Sequence, residues 1–322
     1  MPSSIVVTGG AGFIGRNTVA ALNDHGLTDI LVVDSLGTND KWQTLVGLAF
    51  DDVISPQAFL DQLNAGPGSA ITTIIHLGAC SATTETNADY LLENNYHYTR
   101  SLCEWAQTHD ARLVYASSAA TYGGGELGFS DDDETTPKLR PLNMYGYSKQ
   151  LVDLWGLRTG ALDKVVGLKF FNVFGPHEQH KGDMRSVVSK AYDEIGATGR
   201  LSLFKSYRDE YADGQQQRDF IYVRDAVDVI LFLLDNPTVT GLFNCGSGTA
   251  RTWVDLAAAV FAAMGLPPAI DYVDMPDALR ERYQYRTEAP MNKLRNAGYD
   301  RAFHTLEEGV SEYVKWLAGR RD

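Results

Sequence analysis

Apolar positions in the first half of the chain fall into two alternating patterns. Short runs of β-branched and other apolar residues predict buried strands at 5–7, 29–36 and 71–79. Apolar residues at helical spacing predict helices after the glycines at 9–15 and over 90–109. Strands that alternate with helices are typical of βαβ units, which pair into a parallel sheet.

The second half continues this alternation and then changes in character. After Pro176 the sequence becomes polar and rich in loop-forming residues, and from Asp219 it returns to a strand and a helix. Regular elements are predicted in RLVYASSAATYG (112–123), VVGLKFFNVFGP (165–176), 219–236, GLFNCGSG (241–248), and at about 252–264 and 305–317.

These elements predict an α/β protein, with a doubly wound parallel Rossmann sheet and a smaller mixed α/β substrate domain in the C-terminal half. We expect residues 1–171, with 217–247 returning to the sheet, to form the dinucleotide-binding domain. Residues 172–216 and 248–322 then form the substrate-binding domain. No linker of low complexity separates the two, so they are expected to be interleaved along the chain.

Composition and charge exclude several classes of protein. The chain has 322 residues and a formal net charge of -13, which argues against a nucleic-acid partner. The cysteines Cys80, Cys103 and Cys245 have no metal-binding spacing and are expected to be reduced thiols of a cytoplasmic protein. No signal-peptide pattern and no apolar run long enough to span a bilayer is seen, so no membrane partner is expected.

A glycine-rich loop follows the first predicted strand and opens the first predicted helix. In TGGAGFIG the glycines are three residues apart, which lets the backbone approach a pyrophosphate at the N-terminus of the helix. The alternative is a tight turn with no ligand. We therefore predict dinucleotide contacts from Gly9, Gly10, Ala11, Gly12, Phe13, Ile14 and Gly15.

The residues after the second predicted strand bear on the choice of cofactor. Asp34 lies about twenty residues past the glycines, where a carboxylate holds the ribose hydroxyls of NAD. Lys41 could meet the 2′-phosphate of NADP, with Ser35 as a hydrogen-bond donor, or it could be a solvated loop lysine. Since Asp34 favours NAD and Lys41 favours NADP, these residues do not decide between the two cofactors.

A tyrosine and a lysine lie one helical turn apart in NMYGYSKQLVD. Residues four apart share a helix face, so Lys149 can lie beside Tyr145, and a nearby cation favours the phenolate form. Ser118, preferred over Ser117, supplies a hydroxyl after an earlier strand. The three residues together predict proton transfer to and from an alcohol during hydride transfer. Tyr147 is expected to be a packed or surface aromatic.

Two histidines, His177 and His180, form an H-x-x-H pattern. No thiol or carboxylate cluster accompanies them in the sequence, and zinc needs further ligands. We therefore predict no metal site.

Longer segments carry a resemblance to a known family. HLGACSATTE, NNYHYT, YASSAATYGG, PLNMYGYSK, FNVFGPHEQHKGDM, QRDFIYVRD and RYQYRTEA, together with the glycine loop, resemble the extended short-chain dehydrogenase/reductase family that modifies nucleotide sugars. The similarity covers essentially the whole chain. GACSATTE and EQHKG are the most specific segments and are similar to those of the family's ADP-heptose epimerases.

The resemblance implies an isomerase that inverts C6 of ADP-D-glycero-D-manno-heptose, for lipopolysaccharide synthesis, by transient oxidation and reduction with tightly bound NADP. Dehydration is disfavoured, because the dehydratases of the larger family carry Asp-Glu where this chain has Ala119 and Ala120. Lys181 would be the second acid–base residue beside Tyr145. The resemblance also implies a homo-oligomer, a pentamer.

Carried over position by position, the resemblance implies two further sets of contacts. Cofactor contacts would include Asp34, Ser35, Lys41, Gly78, Ala79, Cys80, Ser81, Asn95, Lys149, Val173 and Lys181. Substrate contacts would include Asn172, Asp183, Lys190, Phe204, Lys205, Ser206, Tyr207, Arg218 and Tyr283, with Arg218 on the diphosphate. The alternative for Arg218 is a surface ion pair with Asp219 or Asp225.

Two other functions stay open at this point. One is another NAD(P)-dependent nucleotide-sugar epimerase, such as a UDP-sugar 4-epimerase, because pocket shape sets the base and the inverted carbon. The other is a non-catalytic NAD(P)-binding sensor, which would keep the glycine loop and lose Tyr145 or Lys149.

Overall fold

A computed structural model describes residues 4–66, 70–280 and 283–319 of the chain. Its strands are β1 (Ile5–Thr8), β2 (Ile30–Val33), β3 (Asp52–Ile54), β4 (Thr73–His76), β5 (Arg112–Ser118), β6 (Val166–Phe170), β7 (Asn172–Phe174), β8 (Leu201–Phe204), β9 (Gln217–Tyr222), β10 (Gly241–Cys245), β11 (Ala250–Thr252) and β12 (Ile270–Val273).

The helices alternate with these strands through most of the chain. They are α1 (Phe13–Asp24), α2 (Pro56–Asn64), α3 (Ala88–Leu91), α4 (Tyr98–Thr108), α5 (Met144–Thr159), α6 (Val187–Thr198), α7 (Val223–Asp235), α8 (Trp253–Ala263), α9 (Asp277–Arg280), α10 (Asn292–Asn296) and α11 (Leu306–Ala318).

Seven of the described strands form a parallel sheet in the order β10-β6-β5-β4-β1-β2-β3. Successive residues of a strand point to opposite faces, so Val6 and Val7 enter two separate apolar cores. Helices α1 and α7 contribute to the core that contains Val7, and α2, α4 and α5 to the core that contains Val6. The prediction of a doubly wound Rossmann sheet is confirmed, and its strands β1 and β2 are almost entirely apolar because both faces of the sheet are covered.

Smaller sheets in the C-terminal half confirm the prediction of an additional mixed region. β7, β9 and β11 form a three-stranded sheet, in which β9 pairs parallel with β7 and antiparallel with β11. β8 and β12 form a parallel pair. Both small sheets come from segments that follow β6 in the chain.

The predicted strand over 165–176 is divided between two sheets. The residues up to Phe170 lie in the large sheet and Asn172–Phe174 lie in the three-stranded sheet. The chain changes direction at Phe171, whose amide donates to the Cys245 carbonyl at 3.0 Å. The sequence gives no sign of such a break, because residues that favour strands stand on both sides of it.

The segment expected to return to the sheet, 217–247, is likewise divided. Gly241–Cys245 pairs with β6 in the large sheet, whereas Gln217–Tyr222 belongs to the three-stranded sheet. The exact boundary between the two expected domains stays a prediction.

The predicted helix over 90–109 is interrupted by a π-helical segment, Leu92–His97, between α3 and α4. π-Helical turns are rare and recur at functional positions. The two predicted C-terminal helices are present as α8 and α11, each opened by a threonine capping box, at Thr252 and Thr305. Within the described residues, no helix has the length and apolar character needed to cross a membrane.

Candidate active site

The glycine loop leaves the N-terminus of α1 uncovered. Gly9 has φ +67, and a Cβ atom there would lie 2.6 Å from the Gly78 amide nitrogen. A Cβ at Gly15 would lie 2.0 Å from the Gly9 carbonyl oxygen. Only glycine fits these positions, so the loop stays close to the sheet and the first amides of α1 point toward open space. This shape suits a pyrophosphate group.

A continuous groove runs along this loop. One end is a cavity of about 230 Å³, lined by residues that follow β2 and β4: Asp34, Ser35, Lys41, Gly78, Ala79 and Cys80. A second cavity of about 430 Å³ shares Gly9, Asp34, Lys41 and the 78–80 turn with the first and reaches Ser81 and Lys181. Most of the dinucleotide residues predicted from the loop and from the two strand ends therefore meet along one groove, whereas Gly10 and Ala11 are buried and line neither cavity.

Asp34 and Lys41 form an ion pair at the first end of the groove. The Lys41 Nζ lies 2.6 Å from the Asp34 Oδ1, and the Asp34 Oδ2 accepts a hydrogen bond from the Ala11 amide at 2.9 Å. The Asp34 side chain is 8% exposed. The two residues that favour different cofactors thus neutralise each other, and Lys41 is bound in the loop instead of being fully solvated.

Two other predicted cofactor residues, Asn95 and Val173, do not line this groove. Asn95 is completely buried; its Oδ1 accepts from the Cys80 amide and its Nδ2 donates to the Cys80 carbonyl, both at 2.9 Å. In this structure Asn95 therefore shapes the groove through the backbone of Cys80. Val173 lines the neighbouring catalytic cavity.

The predicted acid–base residues meet in a cavity of about 340 Å³. Ser118, at the end of β5, and Tyr145 and Lys149, on the first turns of α5, all line it. Lys181 enters the same cavity from the 3₁₀ turn Gln179–Met184. Asn172 also lines the cavity, because the break at Phe171 places it there.

Ser118 and not Ser117 faces the phenol of Tyr145. The Ser117 Oγ donates to the Asp153 Oδ2 at 2.9 Å and is buried behind the site. Burial raises the pKa of the Tyr145 phenol above its usual value, and a hydrogen bond from the Ser118 hydroxyl opposes part of this increase. Ser118 is thus placed to favour the phenolate, and its catalytic role stays a prediction.

Lys149 is buried and carries an unusual pKa. Its Nζ donates to the Ala116 carbonyl at 2.8 Å. Burial lowers the pKa of Lys149 to about 8, and the carboxylate of Asp153 raises it. In this structure burial, Ser118 and Cys80 account for the shift in the Tyr145 pKa, so the lowering of that pKa by Lys149 stays a prediction.

Lys181 is held on a kinked turn. Gly182 has φ 53 and ψ -123, a conformation that is essentially restricted to glycine. The Lys181 Nζ lies 5.2 Å from the centroid of the Phe13 ring, which belongs to the glycine loop. Burial lowers the pKa of Lys181, favouring a neutral amine more than for a solvated lysine.

Arg218 and Tyr283 come together although 65 residues separate them in the sequence. The Arg218 guanidinium lies 5.0 Å from the Tyr283 ring and 5.7 Å from the Trp253 ring, and the Trp253 Nε1 donates to the Tyr283 hydroxyl at 2.9 Å. Arg218 is 7% exposed. Burial lowers its pKa.

The alternative of an ion pair for Arg218 does not match its contacts. Within the described ranges, no carboxylate lies within ion-pair distance of it. Asp219 accepts from the amides of Ser247, Gly248 and Ala289 instead, and Asp225 accepts from His304. A buried guanidinium without a carboxylate is suited to an anionic ligand.

The remaining predicted substrate residues divide into two groups. The Phe204–Tyr207 segment lies beside the aromatic cluster, since the Tyr207 amide donates to the Tyr285 hydroxyl at 3.0 Å and Tyr285 packs against Tyr283. Asp183 and Lys190 are exposed and do not line the catalytic cavity. Arg282, which opens the RYQYRTEA segment, lies outside the described residues.

Sequence reasoning missed Trp253. Its ring lines the catalytic cavity and also contacts Arg218, so it connects the buried guanidinium with the reaction site. The one local signal was its place directly after Thr252, the N-cap of α8.

The described residues hold no group of three or more histidine, cysteine or acidic side chains that could bind a metal ion.

The profile of the NAD dependent epimerase/dehydratase family matches residues 5–246. The chain belongs to this family. The match covers the glycine loop, the Ser118, Tyr145 and Lys149 site and the Lys181 turn. It confirms the predicted membership and supports a nicotinamide dinucleotide as the cofactor.

Within the family, the chain is similar to ADP-L-glycero-D-manno-heptose-6-epimerases. It is 56% identical to that of Nitratidesulfovibrio vulgaris (strain DP4), covering 98% of both chains. It is 45% identical to that of Fusobacterium nucleatum subsp. nucleatum, covering 99% of both. The crystal structure of the Helicobacter pylori enzyme of the same name superposes with a TM-score of 0.83 at 25% identity, covering 98% of this chain and 97% of the other.

These similarities confirm the predicted enzyme class, an isomerase of the epimerase type. The residue roles at the site are not tested by them and stay predictions. A nucleotide sugar as substrate agrees with the names of the relatives.

Proposed function

We propose that the protein converts ADP-D-glycero-D-manno-heptose to ADP-L-glycero-D-manno-heptose by inversion at C6. The observation that carries the proposal is one cavity that Tyr145, assisted by Ser118, and Lys181 enter from separate elements. Inversion of a carbinol carbon through a ketone needs a proton acceptor on one face and a proton donor on the other. A phenol and an amine on one cavity meet this need.

The bound nicotinamide dinucleotide supplies hydride acceptance and hydride return, so the reaction consumes no external reductant. Tyr145 removes the proton of the C6 hydroxyl, and Ser118 holds that oxygen. After the ketone has rotated in the cavity, Lys181 donates a proton to the carbonyl oxygen on the other face. Proton exchange with solvent then returns Tyr145 and Lys181 to their starting protonation states. Lys149, one of the cofactor contacts that the family resemblance implies, would hold the ribose of the dinucleotide.

Arg218 and the aromatic rings around it support a diphosphate on the side of the cavity that Trp253 lines. The guanidinium is buried, has five donors and no carboxylate partner in the described structure, and a diphosphate offers matching oxygens. The rings of Trp253 and Tyr283 pack against the Arg218 guanidinium. This arrangement fixes the nucleotide end of the substrate while the sugar end stays free to rotate.

We favour NADP over NAD for the cofactor. A 2′-phosphate beside an unpaired Asp34 would meet a like charge, but Lys41 neutralises that carboxylate at 2.6 Å. The Lys41 ammonium also donates to the Ser35 carbonyl at 3.2 Å, so one of its three donors is left for a phosphate oxygen. Ser35 lies in the same cavity.

The cellular and assembly properties remain proposals. We propose a cytoplasmic homo-oligomer, a pentamer by the family resemblance. Residues 1–171 with 217–247 would bind the cofactor, and 172–216 with 248–322 would bind the sugar nucleotide.

Proton NMR of ADP-D-glycero-D-manno-heptose with the purified protein, without added reductant, tests the substrate and the reaction together. We expect the L-glycero epimer to appear until the two epimers equilibrate. No change in a protein shown to hold cofactor would reject the heptose substrate. Turnover of a UDP-sugar in the same assay would favour a UDP-sugar 4-epimerase instead.

A further inference from the structure

A fully buried carboxylate lies at the base of the turn that carries Lys181. Glu178 is 0% exposed, and its Oε2 accepts from the Ser186 amide at 2.6 Å. Its Oε1 accepts a short hydrogen bond from the Ser186 hydroxyl. Ser186 is the N-cap of α6, so Glu178 joins the turn to the start of that helix.

Glu178 is also connected directly to Lys181. The Lys181 amide donates to the Glu178 carbonyl at 3.0 Å. The negative charge of Glu178 raises the pKa of Lys181 and so opposes the lowering that burial causes. Among the described residues, no lysine, arginine or histidine lies within ion-pair distance of Glu178. A buried carboxylate costs folding free energy, so a functional reason for its position is expected.

The other groups around the turn do not supply this negative charge. Lys190, on α6, lowers the pKa of Lys181, and the Phe13 ring of α1 is uncharged. Tyr313, on α11, interacts with Glu178, and burial raises the pKa of its phenol, so it is neutral. Further titratable groups near Lys181 are His180 and the cavity residues Tyr145, Lys149 and Arg185.

We propose that Glu178 is a positioning residue for the epimerisation: it fixes the Lys181 turn to α6 and holds a negative charge near the Lys181 ammonium. The inference rests on the proposed function only for the role of Lys181 in turnover. The coupling between Glu178 and Lys181 is a property of the turn itself.

The test measures Lys181 directly in the holoenzyme. Only the neutral amine reacts with acetic anhydride, so pulse acetylation across a pH series, read by mass spectrometry, gives the midpoint of Lys181 deprotonation. Glu178→Gln keeps the shape and removes the charge. We expect several-fold faster acetylation of Lys181 near neutral pH, a midpoint at lower pH, and a parallel shift of the alkaline limb of kcat.

Glu194→Gln is the matched control. The Glu194 carboxylate also accepts a hydrogen bond from a backbone amide eight residues further along, that of Ser202 at 2.8 Å, but Glu194 is only half-buried and lies outside the catalytic cavity. We expect both the Lys181 midpoint and turnover to match the unsubstituted protein. An unchanged Lys181 midpoint in folded Glu178→Gln would overturn the proposal.

A second variant covers the case in which Glu178→Gln does not fold. Glu178→Asp keeps the charge but is one methylene shorter, so its contacts with Ser186 are lost. We expect a several-fold lower kcat with a Lys181 midpoint closer to the original. Unchanged kcat in folded Glu178→Asp would contradict the positioning role. Full turnover in Lys181→Gln would instead reject the proposed role of Lys181, whatever the acetylation shows.

Discussion

The two sides of the catalytic cavity are held in different ways. Ser118, Tyr145 and Lys149 stand on a long strand and a sixteen-residue helix. Behind them, the Lys169 Nζ lies 2.6 Å from the Asp153 Oδ2, and both side chains are 0% exposed. Lys181 stands on a short 3₁₀ turn with a kink at Gly182.

We call the side that carries Ser118, Tyr145 and Lys149 the rigid side, and the side that carries Lys181 the adjustable side. The Tyr145 side is fixed by a sheet, a helix and a buried ion pair whose disruption would cost several kcal/mol. The Lys181 side depends on a few contacts: the Asn17 Nδ2 donates to the Pro176 carbonyl at 3.1 Å, and Glu178 holds Ser186. A ketone that rotates within the cavity needs one wall that stays fixed and an opposite wall that can move.

The largest effect is expected on the rigid side. Tyr145→Phe removes the proton acceptor, so turnover should fall by about 10²–10⁴, the usual contribution of an acid–base group. Cofactor binding, followed by nicotinamide fluorescence, should remain. Tyr147→Phe is the control, because Tyr147 is exposed on the same helix, and its turnover should be unchanged. Full activity in Tyr145→Phe would contradict the assignment of the base.

Lys181→Gln tests the adjustable side. We expect turnover to fall by about 10² or more, since the second proton transfer loses its donor. The double variant with Tyr145→Phe should be little slower than the slower single variant, because the two residues act in separate steps. Lys164→Gln, an exposed lysine elsewhere, is the control. Multiplied losses in the double variant would mean that both residues act in one step.

Arg218→Lys sharpens the comparison at the nucleotide end. A lysine cannot reproduce the planar stacked fork between Trp253 and Tyr283, so KM should rise about tenfold with a smaller change in kcat. Arg224→Lys is the control, since Arg224 pairs with Glu312 at the surface. A tenfold fall in kcat with an unchanged KM would argue against binding of the substrate diphosphate by Arg218 in the ground state.

Gly182→Ala gives the smallest expected effect. A side chain at φ 53 costs about 1–3 kcal/mol of strain, which the short turn relieves by moving Lys181. We expect kcat to fall several-fold with a modest loss of thermal stability. Gly199→Ala, at φ +72 and with open space around it, carries backbone strain away from the site. Gly199→Ala should lower the thermal stability and leave kcat unchanged. An equal fall in kcat in Gly182→Ala and Gly199→Ala would show that the kink at Gly182 has no specific role in catalysis.

The rigid side could be predicted from local sequence patterns, and the fold with it. The glycine loop, the strand that ends at Ser118 and the Tyr145–Lys149 spacing each follow from short-range geometry. The assignment of Ser118 over Ser117 also agrees with the structure, since Ser117 is bound to Asp153.

The adjustable side and the nucleotide end could not be derived in the same way. A loop lysine such as Lys181 has no periodic signal, so only the family resemblance singled it out. Arg218 and Trp253 meet because β9 and the start of α8 adjoin, and no local pattern predicts that contact. The break at Phe171 was missed because residues that favour strands stand on both sides of it.

The most direct test of the account is the fate of the hydrogen on C6. We would incubate ADP-D-glycero-D-manno-heptose deuterated at C6 with the holoenzyme in ordinary water and measure deuterium in the product by NMR and mass spectrometry. Oxidation and return of the same hydride predict an L-glycero product that keeps its deuterium at C6. Loss of deuterium to solvent would contradict the account, because inversion would then proceed by proton removal from carbon.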